Sequence, residues 1–345
     1  MEMFGFHRLK PLVILLALAL SVESSGCRRE SGIEKEAKIT LYGFSVVKEP
    51  LEHDIFPSYQ REWEEKTGQR LTFMPSYAGS EVVTNQLIAG VEADIAILAI
   101  ERNADRLMRP DVAHNDWRKL PYGGIVNRTP VVILVRAGNP KRIRDFADLA
   151  RPGVKLIHPD PSSSGAGQWG LLATYGSELV KSERETGVRD EQRAFDLLQR
   201  IWNSRNIIAT PESARQARTQ FMRGEGDALI TYELEALELI GKKAPVEMVM
   251  PRATVMCEHP VVIVDHAMEP AKYALVELFV RSLWEPRAQQ AWVRGHFRAV
   301  TDEKLNEGFA KIEWPFFAKD LGGWARAYPE VVEGLWKRKV LESGK

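Results

Sequence analysis

The sequence predicts an α/β protein, with mostly parallel sheets flanked by helices in more than one compact unit. Three observations carry that reading. Strand-like and helix-like segments alternate from Lys38 to the end of the chain. The runs 94–99 and 130–135 are continuously apolar, as strands buried on both faces of a parallel sheet are. The turns from strand to helix are rich in Gly and Ser. At 345 residues the chain is too long for one comfortable core.

Each element follows from local pattern. Residues 39–42 alternate and stop at Gly43, a first strand. Leu51, Ile55, Tyr59 and Trp63 recur every four residues. They predict a helix that starts or restarts at Pro57, where proline is tolerated, and ends at Gly68. A short strand at 71–74, a polar turn at 76–80 and a helix striped by Val83 and Leu87 come next. The second half repeats the theme. It reads as strand 154–157, helix 165–176 with Trp169, Leu172 and Ala173 on one face, helix 195–202 and buried strand 227–232. Strands 246–249 and 261–264 and a helix-rich end from Pro270 complete it. No internal repeat is present, which excludes a solenoid.

Composition removes several function classes. With 44% apolar and 27% charged residues, the chain is neither a disordered tail, nor a collagen-like fibre, nor a polytopic membrane protein. Basic and acidic residues number 47 each, so the excess of a nucleic-acid binder is missing. Two cysteines cannot build a disulfide scaffold.

The N-terminal stretch reads as an address. Arg8 and Lys10 precede an apolar run at 11–22. As a helix that run spans about 18 Å, short of a hydrocarbon core of about 30 Å. Small residues Ser24, Ser25 and Gly26 follow, so residues 1–26 are expected to be an export signal. Cys27 abuts them, as in a bacterial lipoprotein signal whose cysteine receives lipid. The alternative is an ordinary cleaved signal beside an incidental cysteine. Residues 27–37 read as a flexible tether. Cys257, within an apolar run, reads as a small core residue with a free thiol.

Catalytic and cofactor motifs fail on spacing. Gly165-Ala-Gly167-Gln-Trp-Gly170 fits G-x-G-x-x-G, but seven residues separate it from the preceding strand and the later acidic partner is missing. His158, Asp160 and Ser164 lie on one loop without a nucleophile elbow. Cys257-Glu258-His259 contains metal-ligand types without a metal-site spacing. The run Lys141–Arg144 reads as solvated surface.

Four strand-to-helix turns share another chemistry. They are Gly43-Phe44-Ser45, Gly79-Ser80, Ser162 to Gly167 and Glu212-Ser213-Ala214. Each offers hydroxyls and backbone N–H groups ahead of a helix ladder, with the positive end of the helix dipole behind them. One such turn alone is an N-cap. Several converging beyond the carboxyl ends of strands could hold a dehydrated anion without any Lys or Arg in contact.

These turns sit inside a longer pattern. It comprises Lys66-Thr67-Gly68, Ala93-Asp94, Asp116-Trp117-Arg118, Leu134 to Pro140, Arg151 to Val154 and Asp160 to Gly165 with Trp169. Ser213-Ala-Arg215, Gly226-Asp227, Glu233 to Ala236, Glu258-His-Pro260 and Gly322-Gly-Trp324 extend it. In these blocks, from Ile39 to Tyr328, the chain resembles the sulfate/thiosulfate-type periplasmic binding proteins of ABC transporters. The resemblance implies the type II periplasmic binding protein fold, two α/β lobes joined by hinge strands with the anion in the cleft. The lobes would be 38–128 plus 259–345, and 129–258. It implies a monomeric binding protein of the periplasm or cell envelope that serves a transporter permease. It implies no enzyme, cofactor or metal, and Cys27 would supply a membrane anchor.

The same resemblance assigns the ligand residues. Ser45 donates a backbone N–H, Ser80 a hydroxyl, Ser164 a hydroxyl beside the N–H groups of Gly165 and Ala166, and Ala214 a backbone N–H. Tyr232 stands where the family places a tryptophan, and its hydroxyl can accept as well as donate. The family's first-turn acidic residue is Ser45 here, and its Thr-Arg is Val47-Lys48. Glu81 follows Ser80 where something small and uncharged is expected. It either enters the cleft, where it would repel sulfate, or faces solvent as a first-turn acid, and the second reading is preferred. Sulfate leads as ligand, then thiosulfate. Phosphate, molybdate or a small organic acid are the rivals within the binding class. A hydrolase using Ser164, and a sensor or adhesin that kept the fold, are the rivals outside it.

Overall fold

The computed structural model describes residues 36–203 and 205–342. The expected signal and Cys27 lie outside them, as does the expected tether except for Glu36 and Ala37, which open the first strand. Ten strands form one sheet system. They are β1 (Glu36–Phe44), β2 (Arg70–Ala78), β3 (Ile95–Ile97), β4 (Ile125–Arg136) and β5 (Leu156–Ile157). Then come β6 (Ile207–Ala209), β7 (Ala228–Tyr232), β8 (Val246–Val249), β9 (Ala253–Ile263) and β10 (Trp314–Phe316). Their order is β2-β1-β3-β9-β4-β7-β5-β6, with β10 added to β9 and β8 to β4.

The path has two parts. In one, β1 runs parallel to β2 and β3; in the other, β5 runs parallel to β6 and β7. Strands β4 and β9 join them and are antiparallel to each other. The parallel expectation therefore fails at these two strands, since β9 is also antiparallel to β3, and β4 to β7 and β8. Burial on both faces reports covering elements, not strand direction, and β4 is covered on both sides.

Strand β4 changes partners midway. Ile125–Pro130 pairs with β9, and Val131–Arg136 pairs with β7 and β8. Pro130, which has no N–H to give a ladder, sits at the change, opposite Met256. The Thr254 hydroxyl donates to the Val131 carbonyl at 2.6 Å and spans the junction.

Helices cover both parts. The helix Phe56–Thr67 carries Pro57 in its first turn and ends on Gly68 at φ 68°, whose N–H reaches the Glu64 carbonyl. The run does not begin at Pro57. Helical backbone continues from Lys48 through a widened π-type turn, Leu51–Ile55, in which the Phe56 N–H bonds to Leu51. A π-type turn absorbs the bond that Pro57 cannot make.

The C-terminal segment departs from expectation. From Trp314 onward it reaches the far helices as well as the first part of the sheet, where Gly323–Ala327 meets the helix Glu101–Leu107 and Tyr328 meets Arg102. The helical segment Tyr328–Leu341 packs on the helices Gly165–Thr186 and Glu191–Asn203. Trp324 meets the ring of Trp169, and Trp336 that of Trp202, edge to face. Burying these indoles outweighs keeping the segment local. Cys257 is a buried free thiol, as read from its apolar neighbours.

Candidate anion site

Three of the Gly/Ser turns meet. A Cβ built on Gly79 would lie 2.6 Å from the Ser163 carbonyl oxygen and 2.8 Å from that of Glu212. A Cβ on Gly165 would lie 2.5 Å from Ala99 Cβ and 3.3 Å from Ser80 Cβ. The Glu81 N–H donates to the Ser163 carbonyl at 3.3 Å, and the Ser163 hydroxyl to that of Glu212 at 3.1 Å. The Trp169 indole donates to the Ala99 carbonyl at 2.6 Å. The turns after β2, β5 and β6 are thus stitched together, although up to 134 residues separate Gly79 from Ser213 in the chain.

Each turn presents donors of its own. The helix Gly165–Thr186 starts its ladder with the Gln168 N–H on the Ser164 carbonyl, leaving the N–H groups of Gly165 and Ala166 ahead of it. In the helix Ala214–Met222 the ladder starts with Ala217 on Ser213, leaving Ala214 ahead. The Ser213 hydroxyl accepts from the Gln216 N–H, an ordinary cap. Ser164 occupies the same N-cap position with extended backbone, is 2% exposed, and its hydroxyl makes no capping bond. The Ser80 hydroxyl accepts the Ala99 N–H at 3.0 Å, so its own proton remains to be donated. Ser45 opens the short turn Ser45–Val47 after β1, and that turn packs on the helix Ala214–Met222.

Tyr232 ends β7 opposite Val131. It is 1% exposed, and its hydroxyl has no hydrogen-bond partner among the described residues. Burial, with the neighbouring Cys257 and Glu235, holds the phenol well above its usual range, so it stays neutral. Phe44 packs edge-on against its ring and at a tilt against His259.

The arginine next to these turns is already paired. Arg215, next to Ala214, reaches Glu49 at 2.5 Å and Glu235 at 3.3 Å. A cleft of about 570 Å³ opens beside the turns, lined among others by Ser45, Lys48, Glu49, Tyr77 and Ser213. Glu81 corrects the sequence reading. It is not in solvent but 6% exposed, and its carboxylate is held by Arg102 at 3.0 Å, Arg106 at 2.6 Å and the Gln168 amide at 3.0 Å. One signal for this was present: Arg102 and Arg106 are like charges at i, i+4, a pairing that needs a shared acceptor.

His158 does not form a catalytic unit with Ser164. Its Nδ1 meets the Pro159 carbonyl at 2.7 Å, and its Nε2 packs at Gly170, well down the helix. The Asp160 carboxylate accepts the Ser162 N–H instead. Cys257 and His259 share a face of β9, while Glu258 pairs with Arg128 at 3.0 Å. Lys141 and its neighbouring arginines are surface residues, as read.

The buried histidines set a pH dependence. Burial pushes His158 down to about 4 and His259 to about 3. The unfolded chain protonates them below about pH 6.5, so it binds more protons than the folded chain there. Stability is therefore expected to fall as pH drops below about 6.5, by roughly 1.4 kcal/mol per unit for each histidine. Urea unfolding from about pH 7 to about pH 5 measures this. An unchanged midpoint would show that the rings are hydrated.

The comparisons agree with the geometry. Residues 40–298 match the family described as bacterial extracellular solute-binding protein. The chain is 30% identical over 345 residues to the sulfate-binding protein of Synechococcus elongatus, covering 97% of this chain and 96% of that one. It is 28% identical over 278 residues to the thiosulfate-binding protein of Pseudomonas aeruginosa, covering 78% and 81%. Among solved structures it is similar to the sulfate-binding protein SubI from Mycobacterium tuberculosis, with TM-score 0.75 and 30% identity over 85% of this chain and 99% of that one. A sheet crossed by two joining strands, donor turns gathered at one place and a family match over most of the chain lead to one conclusion: this chain belongs to the bacterial extracellular solute-binding proteins.

Proposed function

We propose that the chain captures sulfate or thiosulfate between two lobes outside the cytoplasm and delivers it to an ABC importer. The observation that carries the reading is the meeting of the Gly79-Ser80, Ser163-Ser164-Gly165 and Glu212-Ser213-Ala214 turns. A fully ionised tetrahedral anion accepts hydrogen bonds and donates none, so a site built of N–H and O–H groups suits it. Ser45, Ser80, Ser164, Gly165, Ala166, Ala214 and Tyr232 are proposed as the ligand residues. The similar proteins of S. elongatus and P. aeruginosa are named for sulfate and thiosulfate, which supports this ligand class.

The lobes are proposed as 38–128 with 259–313, and 129–258 with the C-terminal segment, meeting at β4 and β9. Attachment through lipid on Cys27 and action as a monomer belong to the same reading. Binding without catalysis is supported by the names of the relatives and by the distance of His158 from Ser164 chemistry. Calorimetry with sulfate, thiosulfate, phosphate and molybdate tests the proposal. Sulfate or thiosulfate should bind at least tenfold more tightly than the other two, a difference of about 1.4 kcal/mol. Failure of both to bind would end it.

A further inference from the structure

We propose that Gln168 and Glu81 form a latch that holds the closed form and positions the Ser164 turn, a role that rests on the two-lobe reading above. Glu81 adjoins Ser80, and Gln168 lies one helical turn beyond Ser164. The Gln168 amide nitrogen makes two bonds, one to the Pro161 carbonyl within its own turn and one to Glu81 Oε1 across the cleft, both 3.0 Å. Its oxygen is buried with no hydrogen-bond partner among the described residues. The amide is therefore held only through its N–H groups. It couples the loop that carries Ser164 to the turn that carries Ser80.

The charge arrangement makes the contact reversible. Arg102 and Arg106 lie on the helix Glu101–Leu107, which packs on the helix Ser80–Ile88. They stay with Glu81 when the lobes part. Arg106 also bonds Asn85, on the helix of Glu81, at 2.7 Å, whereas the stacking of Arg102 on the Tyr328 ring at 3.4 Å reaches the C-terminal segment and is released on opening. Opening thus leaves no bare buried carboxylate: the Gln168 bond to Glu81 is exchanged for water together with the Glu81 N–H bond to Ser163 and the Trp169 bond to Ala99, and of these it is the one made to the charged side chain. With two guanidinium groups on it, Glu81 adds no net negative charge beside the anion. A residue that would repel the ligand is converted into a strut.

A latch made only in the closed form slows opening, and so slows ligand release, without choosing among ligands. Stopped-flow dissociation and calorimetry of the full chain, with each oxyanion that binds, test this in Gln168→Leu and in Gln168→Asn, which keeps the amide but shortens its reach. Both variants should release the anion about tenfold faster with association unchanged, leaving the rank order of anions as it was. The melting temperature of the ligand-free protein should hold. A release rate equal to that of the wild type, or a lowered ligand-free melting temperature with unchanged release, would overturn the latch while the sulfate reading stands. A changed rank order would also overturn it, by placing Gln168 on the anion itself. A wild type that binds no oxyanion would overturn both.

Discussion

Ser164→Ala should lower sulfate affinity by about 10- to 150-fold, since a hydrogen bond to a charged group contributes about 1.5–3 kcal/mol. The reason is what the hydroxyl leaves undone. Ser164 sits at an N-cap with suitable backbone, yet its oxygen takes no first-turn N–H. A plain cap would cost about 0.5–2 kcal/mol of stability on replacement by alanine. Here the ligand-free protein should melt as before and the loss should fall on binding. Lys141→Ala, at an exposed surface, should change neither. Titration calorimetry beside thermal melts separates the cases. Lost stability with intact affinity would return Ser164 to an ordinary cap.

Gly79→Ala should do comparable damage by another route. Gly79 has φ −63° and ψ 144°, a backbone that alanine adopts freely. The obstacle is outside the residue: a Cβ would press on two carbonyl oxygens, 2.6 and 2.8 Å away, belonging to the Ser163 and Glu212 turns. Overpacking of this kind costs about 1–3 kcal/mol. It arises only where the turns meet, so it should appear as a 10- to 100-fold loss of affinity, about 1.4 kcal/mol per tenfold. The ligand-free protein should be unharmed or gain a few tenths of a kcal/mol, roughly as Gly-to-Ala changes at compatible backbone do. Opposite signs for stability and affinity are the signature to look for. Unchanged affinity would mean that the turns do not close on the ligand.

What was legible in the sequence was local. The strand ends, the glycine stop at Gly68 and the donor turns at Ser80, Ser164 and Ala214 each occupy a few neighbouring residues, where turn and cap chemistry operates. What was hidden was made by distant pairing. The Gln168 bond to Glu81 spans 87 positions, and Arg102 and Arg106 reach Glu81 across 21 and 25. First-turn acids are usually solvated, so the local rule pointed the wrong way for Glu81. The antiparallel setting of β4 and the return of Trp324 and Trp336 to the far helices were hidden for the same reason. Apolarity says that a side chain is covered, and not by what.

The exchange of ladder partners between Pro130 and Val131 has a mechanical consequence. A ribbon that bends where no amide proton is owed keeps every neighbouring rung intact. If the two lobes move as proposed, compliance is concentrated at that joint and the slabs on either side act as stiff plates. Movement of the proposed kind would then work against the contacts between the turns rather than against the sheet. Repeated cycles then need no refolding of any rung.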